Sequence, residues 1–272
     1  MRHYRHFVLR LTACALVGFV TIASFAADPG ISDDKIVLGA IIPLSGPPSI
    51  IGKATASTLK AWERDVNARG GIAGRKIEIH IEDAGYVPQR SVQALTKLVS
   101  VDKVFAMIAV SGSSQLVAML PIIEEQQLPA INNMAVNSAH FNPPHKTLFN
   151  IGATYCQEVA ASMMHLVTTQ KLHASRFALI FQEDDYGNDV RCGYDQALKD
   201  LGLKSVIEVA YKRGAKDFAP EVLSIKRAGA TFVLTGGIIS ETAGILKEIA
   251  KNQMNAVRLA PHPAHIPAVL AL

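Results

Sequence analysis

The sequence predicts an α/β protein with two Rossmann-like lobes, each built around a parallel sheet. From residue 35 to about residue 257, apolar stretches of strand length alternate with segments of helical periodicity, which is the pattern of repeated βα units. The alternation is interrupted over residues 137–148, where Asn142 precedes two prolines. A break between two series of βα units indicates two sheets, so we expect lobes at residues 27–150 and 151–257.

The first strand and helix differ clearly in their apolar patterns. Ile36–Ile42 is a continuous apolar run, which is typical of a parallel strand buried on both faces. Over residues 53–68, apolar side chains such as Leu59 and Val66 recur at helical spacing, which predicts a helix. The pair Gly70–Gly71 follows and ends it, because glycine is favoured just beyond a helix C-terminus.

The rest of the first lobe follows the same reasoning. Ile77, Ile79 and Ile81 alternate with polar residues, which predicts a half-exposed strand. Apolar residues return to helical spacing over residues 88–100. We expect the lobe to continue with a strand at 104–110, a helix at 115–126 and a short strand at 129–132.

The second series of βα units has the same rhythm. We expect helices at 156–169, 189–201, 217–228 and 241–253, and strands at 177–181, 205–210, 231–235 and near 257. Residues 258–272 would then return toward the first lobe.

The N-terminal segment has the order of a secretory signal. A basic stretch ends at Arg10, an apolar run of about 15 residues follows, and Ser24 and Ala26 place small residues at the two positions that signal peptidase recognises. We expect residues 1–26 to be a signal peptide cleaved after Ala26, which would put the mature chain in the periplasm. A retained membrane anchor is the alternative, but the apolar run is shorter than the ~20 residues that span a bilayer.

Charge argues against a nucleic-acid partner. The whole chain has a net charge of +4, but three arginines lie in residues 1–26, which hold no acid. The remaining 24 basic and 23 acidic residues nearly balance, so no strongly basic surface is expected. The composition, 49% hydrophobic and 18% charged, is that of a globular protein.

Two cysteines, Cys156 and Cys192, lie beyond the signal segment. The oxidising periplasm would allow them to pair. Sequence does not give the distance between them, so a disulfide and two free thiols both stay open.

Three motifs suggest cofactor or metal chemistry, and we expect none of them to provide it. The stretch Gly46–Lys53 occupies the place of a phosphate-binding loop, but it has one residue too many between its glycines and lacks the following Ser or Thr. The acids at 183–189 fit no calcium loop and precede a helix, where carboxylates are favoured. The last motif is a set of histidines in proline-rich loops, namely His140, His145, His262 and His265.

Two other motifs are suited to ligand binding. Ser111-Gly112-Ser113-Ser114 lies between a strand and a helix, where hydroxyl and free N–H groups can hold a carboxylate. Glu241 begins a helix in the second lobe and can meet a cationic group. Simple helix capping is the alternative for both. Ligands of open α/β sheets bind at the carboxyl ends of strands, so the pair would suit a free amino acid. No Gly-x-Ser-x-Gly elbow accompanies the serines.

From Lys35 onward the chain resembles the leucine/isoleucine/valine-type periplasmic binding proteins, which have the type I periplasmic-binding fold. The matching stretches are short, but they occur in the family's order and spacing. They are Ile41–Gly46 (IIPLSG), Val66–Arg75 (VNARGGIAGR), Glu82–Ala84 (EDA), Pro121–Pro129 (PIIEEQQLP), Asp184–Gly187 (DDYG) and Lys216–Phe218 (KDF).

The resemblance implies two hinged lobes that close on a ligand, and it assigns roles to particular positions. Ser113, with Ser114 beside it, matches the serine that binds the ligand carboxylate. Met134 matches a position whose backbone carbonyl meets the ammonium group, and Glu241 matches its acidic partner. Tyr186 matches an aromatic wall contributed by the second lobe.

Two ligand-binding positions depart from the family pattern. Val136 stands where leucine-type members have a threonine that hydrogen-bonds the ligand, and Ile51 stands where an aromatic side chain commonly covers it. The loss of a polar partner changes which ligand is favoured. An aromatic or other apolar carboxylate therefore stays open as an alternative to an amino acid.

Family members also continue past residue 272, so the resemblance leads us to expect an incomplete first lobe. The predicted function is substrate binding for an inner-membrane ABC permease, by a monomer with no enzyme activity, cofactor or metal. A ligand-sensing receptor domain is one alternative. An exported hydrolase that uses the acids at 183–189 is another, and a product without function is a third.

Overall fold

The computed structural model describes residues 28–267 and residue 269. The expected signal peptide and its cleavage site at Ala26 lie outside these residues. Among the helices that are described, none has both the length and the apolar character needed to cross a membrane.

The first lobe is a five-stranded parallel sheet with helices packed against it. The strand order is β2-β1-β3-β4-β5, and every neighbouring pair is parallel. Its strands are β1 (Lys35–Ile42), β2 (Lys76–Asp83), β3 (Ala106–Val110), β4 (Ala130–Asn132) and β5 (Leu148–Asn150), and its helices are α1 (Ser49–Ala68), α2 (Pro88–Ser100) and α3 (Ser113–Glu125).

The second lobe is a four-stranded parallel sheet in the order β7-β6-β8-β9. Its strands are β6 (Phe177–Gln182), β7 (Ser205–Tyr211), β8 (Phe232–Gly236) and β9 (Val257–Leu259), and its helices are α4 (Tyr155–Thr169), α5 (Asp185–Asp200), α6 (Ala219–Arg227) and α7 (Ser240–Lys251). Two separate parallel sheets confirm the predicted fold class.

The structure corrects the start of α1, which was predicted at residue 53 and lies at Ser49. The prediction assigned Gly46–Lys53 to a loop between the strand and the helix, so Gly52 was expected to precede the helix. In the structure Gly52 faces the loop after β1, and a Cβ there would lie 2.0 Å from the carbonyl oxygen of Pro43. The glycine is therefore used for close contact inside the helix.

The start of α5 also lies earlier than predicted, at Asp185 instead of residue 189. The side chain of Asp184 accepts a hydrogen bond from the backbone N–H of Gly187, at 3.0 Å, and so caps the helix. The acidic segment is thus partly the first turn of the helix. The stretch expected to be irregular also contains a short 3₁₀ turn at Ser138–His140 and leads into β5.

The two lobes share a buried cluster. Tyr86 and Val136 come from the first lobe, yet they pack with second-lobe side chains that include Tyr155, Tyr186 and Phe181. Burial of this apolar surface holds the lobes in contact.

The question that the sequence left open about the cysteines is answered by a disulfide. Cys156 on α4 and Cys192 on α5 are bonded, with their Cα atoms 5.2 Å apart. The bond joins two neighbouring helices of the second lobe.

Candidate functional site

A cavity of about 280 Å³ lies between the two lobes, at the carboxyl ends of their strands. The first lobe contributes the loops that follow β1, β2, β3 and β4, and the second lobe contributes residues that follow β6 and β8. This is the place where open α/β sheets bind ligands. The lining consists of Pro48, Ile51, Tyr86, Ser111, Gly112, Ser113, Asn133, Met134, Tyr155, Tyr186, Ile238, His262, Pro263 and Ile266.

The polar end of the cavity is the start of α3. Gly112 adopts a φ of +95° immediately before the helix, and a Cβ there would lie 2.1 Å from Oε1 of Gln115. Ser113 is the first helical residue, and its buried hydroxyl makes no hydrogen bond to any residue that the structure describes. An unpartnered hydroxyl at a helix N-terminus can donate to an anionic group of a ligand.

Three tyrosine rings form much of the remaining wall. Tyr155 and Tyr186 meet edge to face, with ring centroids 4.9 Å apart, and Tyr86 approaches from the first lobe. The hydroxyl of Tyr186 donates to the carbonyl of Gly237 at 3.1 Å. Burial raises the pKa of all three phenols, so the rings stay neutral and offer a mainly apolar surface.

Four of the predicted binding residues line this cavity, namely Ser113, Met134, Tyr186 and Ile51. The hydroxyl of Thr55 donates to the Ile51 carbonyl at 3.0 Å and lies 3.9 Å from the sulfur of Met134. The structure thus places Met134 beside the N-terminal part of α1, on the same side of the cavity as Ile51.

Three other predicted residues lie around the cavity instead of lining it. The hydroxyl of Ser114 accepts a hydrogen bond from the guanidinium of Arg213 at 3.0 Å. Val136 is buried and borders a separate cavity beside Glu158. Glu241 is buried and borders a small cavity of about 230 Å³, which Tyr86 also lines. Its Oε2 accepts from the hydroxyl of Ser240 at 2.9 Å.

Sequence reasoning did not identify Tyr86 and Tyr155 as cavity residues, and it considered His262 only as a metal ligand. Tyr86 follows the carboxyl end of β2, a location that could have singled it out as a ligand contact. Tyr155 is the first residue of α4 and directly follows its N-cap, Thr154, which forms a capping box with Gln157, so its position at a helix start was also visible. His262 lines the cavity because the chain after β9 folds back over it, and the sequence pattern does not predict that path.

A charged group ties the lobes together beside the cavity. Arg213 follows β7 and donates to the carbonyl of Tyr86 at 3.0 Å, to Ser114 and to Oδ2 of Asp184. The ring centroid of Tyr86 lies 4.8 Å from the guanidinium carbon. Arg213 therefore contacts both lobes.

Asp83, the last residue of β2, organises the loops that carry Pro48 and Tyr86. Its Oδ1 accepts from the backbone N–H groups of Leu44 and Gly85, at 2.9 and 2.8 Å, and its Oδ2 accepts from the Ser45 hydroxyl at 2.6 Å. Burial acts to raise the pKa of Asp83, but these hydrogen bonds outweigh it and lower the pKa to about 2.

Three of the four acids at 183–189 are engaged in structural contacts. Asp184 caps α5 and pairs with Arg213, Asp189 accepts from the backbone N–H groups of Ser138 and Cys156 at 3.2 Å, and Glu183 pairs with Lys212. Burial raises the pKa of Asp189. Its carboxylate lies near both cysteine sulfurs, but those sulfurs are bonded to each other.

Three of the four histidines that were considered as metal ligands have separate protein partners. His140 contacts the Ala135 carbonyl at 2.6 Å, His145 contacts Glu124 at 2.6 Å, and His262 contacts Glu158 at 2.5 Å. Within residues 28–267 these histidines do not form a common group with metal-binding geometry.

The family profile and the relatives that match this chain are all described as binding proteins. A family profile described as "Periplasmic binding protein" matches residues 35–272. An amino acid binding protein of Pseudomonas aeruginosa is 26% identical over 253 residues, which cover 93% of this chain and 65% of that protein. Leu/Ile/Val-binding protein homolog 7 of Brucella melitensis is 25% identical over 236 residues, 84% of this chain and 59% of that protein.

A solved structure has the same fold. The fatty acid ABC transporter substrate-binding protein from Thermomonospora curvata superposes with a TM-score of 0.82 at 24% identity, over 90% of this chain and 61% of that chain. The present chain spans less than two thirds of the length of each of these three proteins.

Proposed function

The chain belongs to the periplasmic binding protein family, and on that premise we propose that it binds a small carboxylate with an apolar body for an ABC importer. The observation that carries the proposal is the unpartnered hydroxyl of Ser113, buried at the N-terminus of α3 and at one end of a cavity walled by tyrosines. A carboxylate would satisfy that hydroxyl and the positive end of the helix.

The apolar body of the ligand would lie among Tyr86, Tyr155 and Tyr186. Because the pKa of each phenol is raised by burial, the wall is uncharged at neutral pH. Neutral aromatic rings favour apolar or aromatic groups through burial and edge-to-face contact. The same ligand would touch both lobes, so its binding would favour the closed arrangement.

Two ligand classes fit this description. An apolar amino acid is favoured by Glu241, since that carboxylate borders the smaller cavity, which shares Pro48, Tyr86 and Ile238 with the main one. An aromatic or other apolar carboxylate is favoured by the main cavity itself, whose lining holds no Asp or Glu among the described residues. Tyr86 lines both cavities, so a ligand with an ammonium group would have to pass beside it to reach Glu241.

We place the protein in the periplasm, where it would deliver its ligand to an ABC permease in the inner membrane. The hydrolase alternative finds less support, because Asp184 and Asp189 are each engaged by backbone or arginine donors. Those contacts would have to break before either carboxylate could act as a base.

Titration calorimetry with matched ligands tests the proposal. L-leucine and 4-hydroxybenzoate represent the two classes, and 4-methylpentanoate is leucine's carbon skeleton without the ammonium group. Each compound is paired with its methyl ester. If Glu241 receives an ammonium group, leucine binds more tightly than 4-methylpentanoate. If the tyrosine wall dominates, 4-hydroxybenzoate binds most tightly.

In both cases we expect the esters to bind at least tenfold more weakly, because they lack the charge that Ser113 and α3 would hold. Equal affinity of an acid and its ester would contradict the carboxylate proposal. Steady hydrolysis of the esters would instead favour the hydrolase.

A further inference from the structure

Arg213 is the charged side chain that links the lobes at the edge of the cavity. It lies in the loop between β7 and α6, on the second lobe. On its own lobe it pairs with Asp184, whose side chain is only 8% exposed. Across the cleft it donates to the Tyr86 carbonyl and to the Ser114 hydroxyl, each at 3.0 Å.

The two sets of contacts respond differently to separation of the lobes. Asp184 and Arg213 belong to the same lobe, so their ion pair survives opening. The contacts with Tyr86 and Ser114 join different lobes, so they exist only in the closed arrangement. A buried carboxylate that already holds the guanidinium lowers the entropic cost of forming them.

Tyr86 has a conformation that needs such support. Its φ is +61°, in the left-handed region that a bulky residue rarely adopts. Arg213 holds it in two ways, by the hydrogen bond to its carbonyl and by a cation–π contact with its ring at 4.8 Å. Tyr86 also lines both the ligand cavity and the smaller cavity that Glu241 borders.

We propose that Arg213 is a positioning residue that couples lobe closure to the placement of Tyr86, and that Ser114 acts on the ligand through Arg213. This inference rests on the proposed function. Ser113 and Ser114 therefore have different roles although they are adjacent: the hydroxyl of Ser113 is free to meet the ligand, and that of Ser114 already accepts from the guanidinium.

The charge of Arg213 is not available to the ligand. Asp184 neutralises it, its contacts with both lobes use three of its five N–H donors, and Arg213 does not line the main cavity. Lysine could replace the charge but not the planar fork that reaches three partners. Arg213→Lys is therefore expected to keep the pair with Asp184 and lose most of the coupling to the first lobe.

A double-mutant cycle tests the coupling, with the tightest ligand of the calorimetric panel as the probe. We expect Arg213→Ala and Ser114→Ala each to weaken its affinity roughly tenfold. The variant that combines Ser114→Ala with Arg213→Ala should bind the ligand no more weakly than Arg213→Ala alone. The losses of affinity caused by Ser113→Ala and Arg213→Ala should instead multiply when the two substitutions are combined, because they remove independent contacts. Multiplying effects of Ser114→Ala and Arg213→Ala would overturn the proposal.

A matched control and a second variant distinguish a specific loss of binding from a loss of folded protein. Lys212→Ala removes the neighbouring cation, whose side chain is 83% exposed and pairs with Glu183, and it should leave affinity unchanged. Ser114→Ala leaves the pair of Asp184 and Arg213 intact, so its unliganded thermal midpoint should equal that of the unsubstituted protein. An equal loss of affinity in Lys212→Ala would contradict a specific role for Arg213.

A ligand-free measurement separates this inference from the proposed function. Spin labels on the two lobes report the fraction of closed molecules by their distance distribution. We expect that fraction to fall in Arg213→Ala and Ser114→Ala and to stay constant in Lys212→Ala, even if no compound of the panel binds. Equal closed fractions in all four proteins would overturn the proposal, whereas failure of the panel with unequal fractions would overturn only the ligand class.

Discussion

The imidazole ring of His262 stacks on the phenol ring of Tyr155, with ring centroids 5.3 Å apart and planes inclined by 18°. Glu158, one turn further along α4, accepts the backbone N–H of His262 at 2.7 Å and contacts its Nδ1 at 2.5 Å. These contacts hold the segment after β9 over the cavity, where Pro263 and Ile266 complete the lining. Glu158 thus makes two of the contacts that hold this segment in place.

Glu158→Gln should therefore weaken ligand binding severalfold. The amide keeps the shape of the side chain but replaces two charge-assisted hydrogen bonds by weaker ones. Calorimetric titration with the panel measures the effect, and Glu125→Gln, an exposed substitution at the end of α3, is the control. Unchanged affinity in Glu158→Gln would contradict the role of this segment as a cover.

The same contact should give binding an acid limit. Burial acts to raise the pKa of Glu158, but the contacts with His262 outweigh it, and the net pKa is lowered from 4.5. A lowered pKa means that the contact is fully present above pH 4.5 and is lost as the pH falls through the folded value. Affinity should thus decline at lower pH in the unsubstituted protein and show a smaller decline in Glu158→Gln.

Ser113→Ala should separate binding from stability. The free hydroxyl is buried without a partner, so its removal should leave the free energy of unfolding equal or slightly higher. Affinity for the carboxylate ligand should fall roughly tenfold, or by about 1.4 kcal/mol. Ser224→Ala, which removes a hydroxyl that donates to the Pro220 carbonyl far from the cavity, is the matched control. A large drop in the thermal midpoint of Ser113→Ala would argue for a structural role instead.

Asp83→Asn should destabilise the loops on the first-lobe side of the cavity. The substitution weakens hydrogen bonds from Leu44, Ser45 and Gly85 and places an amide NH₂ where only acceptors are needed, at a cost of about 1–3 kcal/mol. Because the pKa of Asp83 is lowered to about 2 from 3.8, its contribution is complete above pH 3.8 and is lost as the pH falls through 2. Denaturant unfolding at neutral and acidic pH measures both effects. A pH-independent difference between the two proteins would contradict this assignment.

Loss of the disulfide should destabilise the second lobe. The bond closes a segment of 36 residues between Cys156 and Cys192, for which the chain-entropy relation gives roughly 3–4 kcal/mol. Replacing both cysteines by serine should lower the midpoint of denaturant unfolding accordingly. A reductant should lower the midpoint of the unsubstituted protein and have no effect on the double serine variant. The same midpoint with and without reductant in the unsubstituted protein would show that the bond does not form.

Sequence predicted the fold well because the strand cores are strongly patterned. The continuous apolar run of β1 and the alternation in β2 left little ambiguity, and the parallel pairing followed from the repeated βα units. Helix starts were harder to place. Gly52 and the acids at 184–185 look like residues that precede a helix. In the structure Gly52 lies inside α1 against the Pro43 carbonyl, and Asp184 caps α5, which begins at Asp185.

Site residues that come directly after a strand could be predicted from the sequence. Residues whose placement depends on contacts between the lobes could not. Ser113 and Tyr186 could be found from their positions after β3 and β6. The positions of Ser114 and Glu241 outside the main cavity could not be predicted, because they depend on how the two lobes meet: Ser114 contacts Arg213 of the second lobe, and Glu241 borders a cavity that first-lobe residues also line. No local pattern encodes a contact between residues 86 and 213.

The most direct test of the central claim is the thermal midpoint of the purified protein with and without the carboxylates of the panel. A ligand that binds the folded state stabilises it by ~2.7 kcal/mol at one hundred times its dissociation constant. We predict that at least one apolar carboxylate raises the midpoint, that its methyl ester does not, and that the shift shrinks in Ser113→Ala. A midpoint that no member of the panel moves would contradict the proposal that this cavity binds an apolar carboxylate.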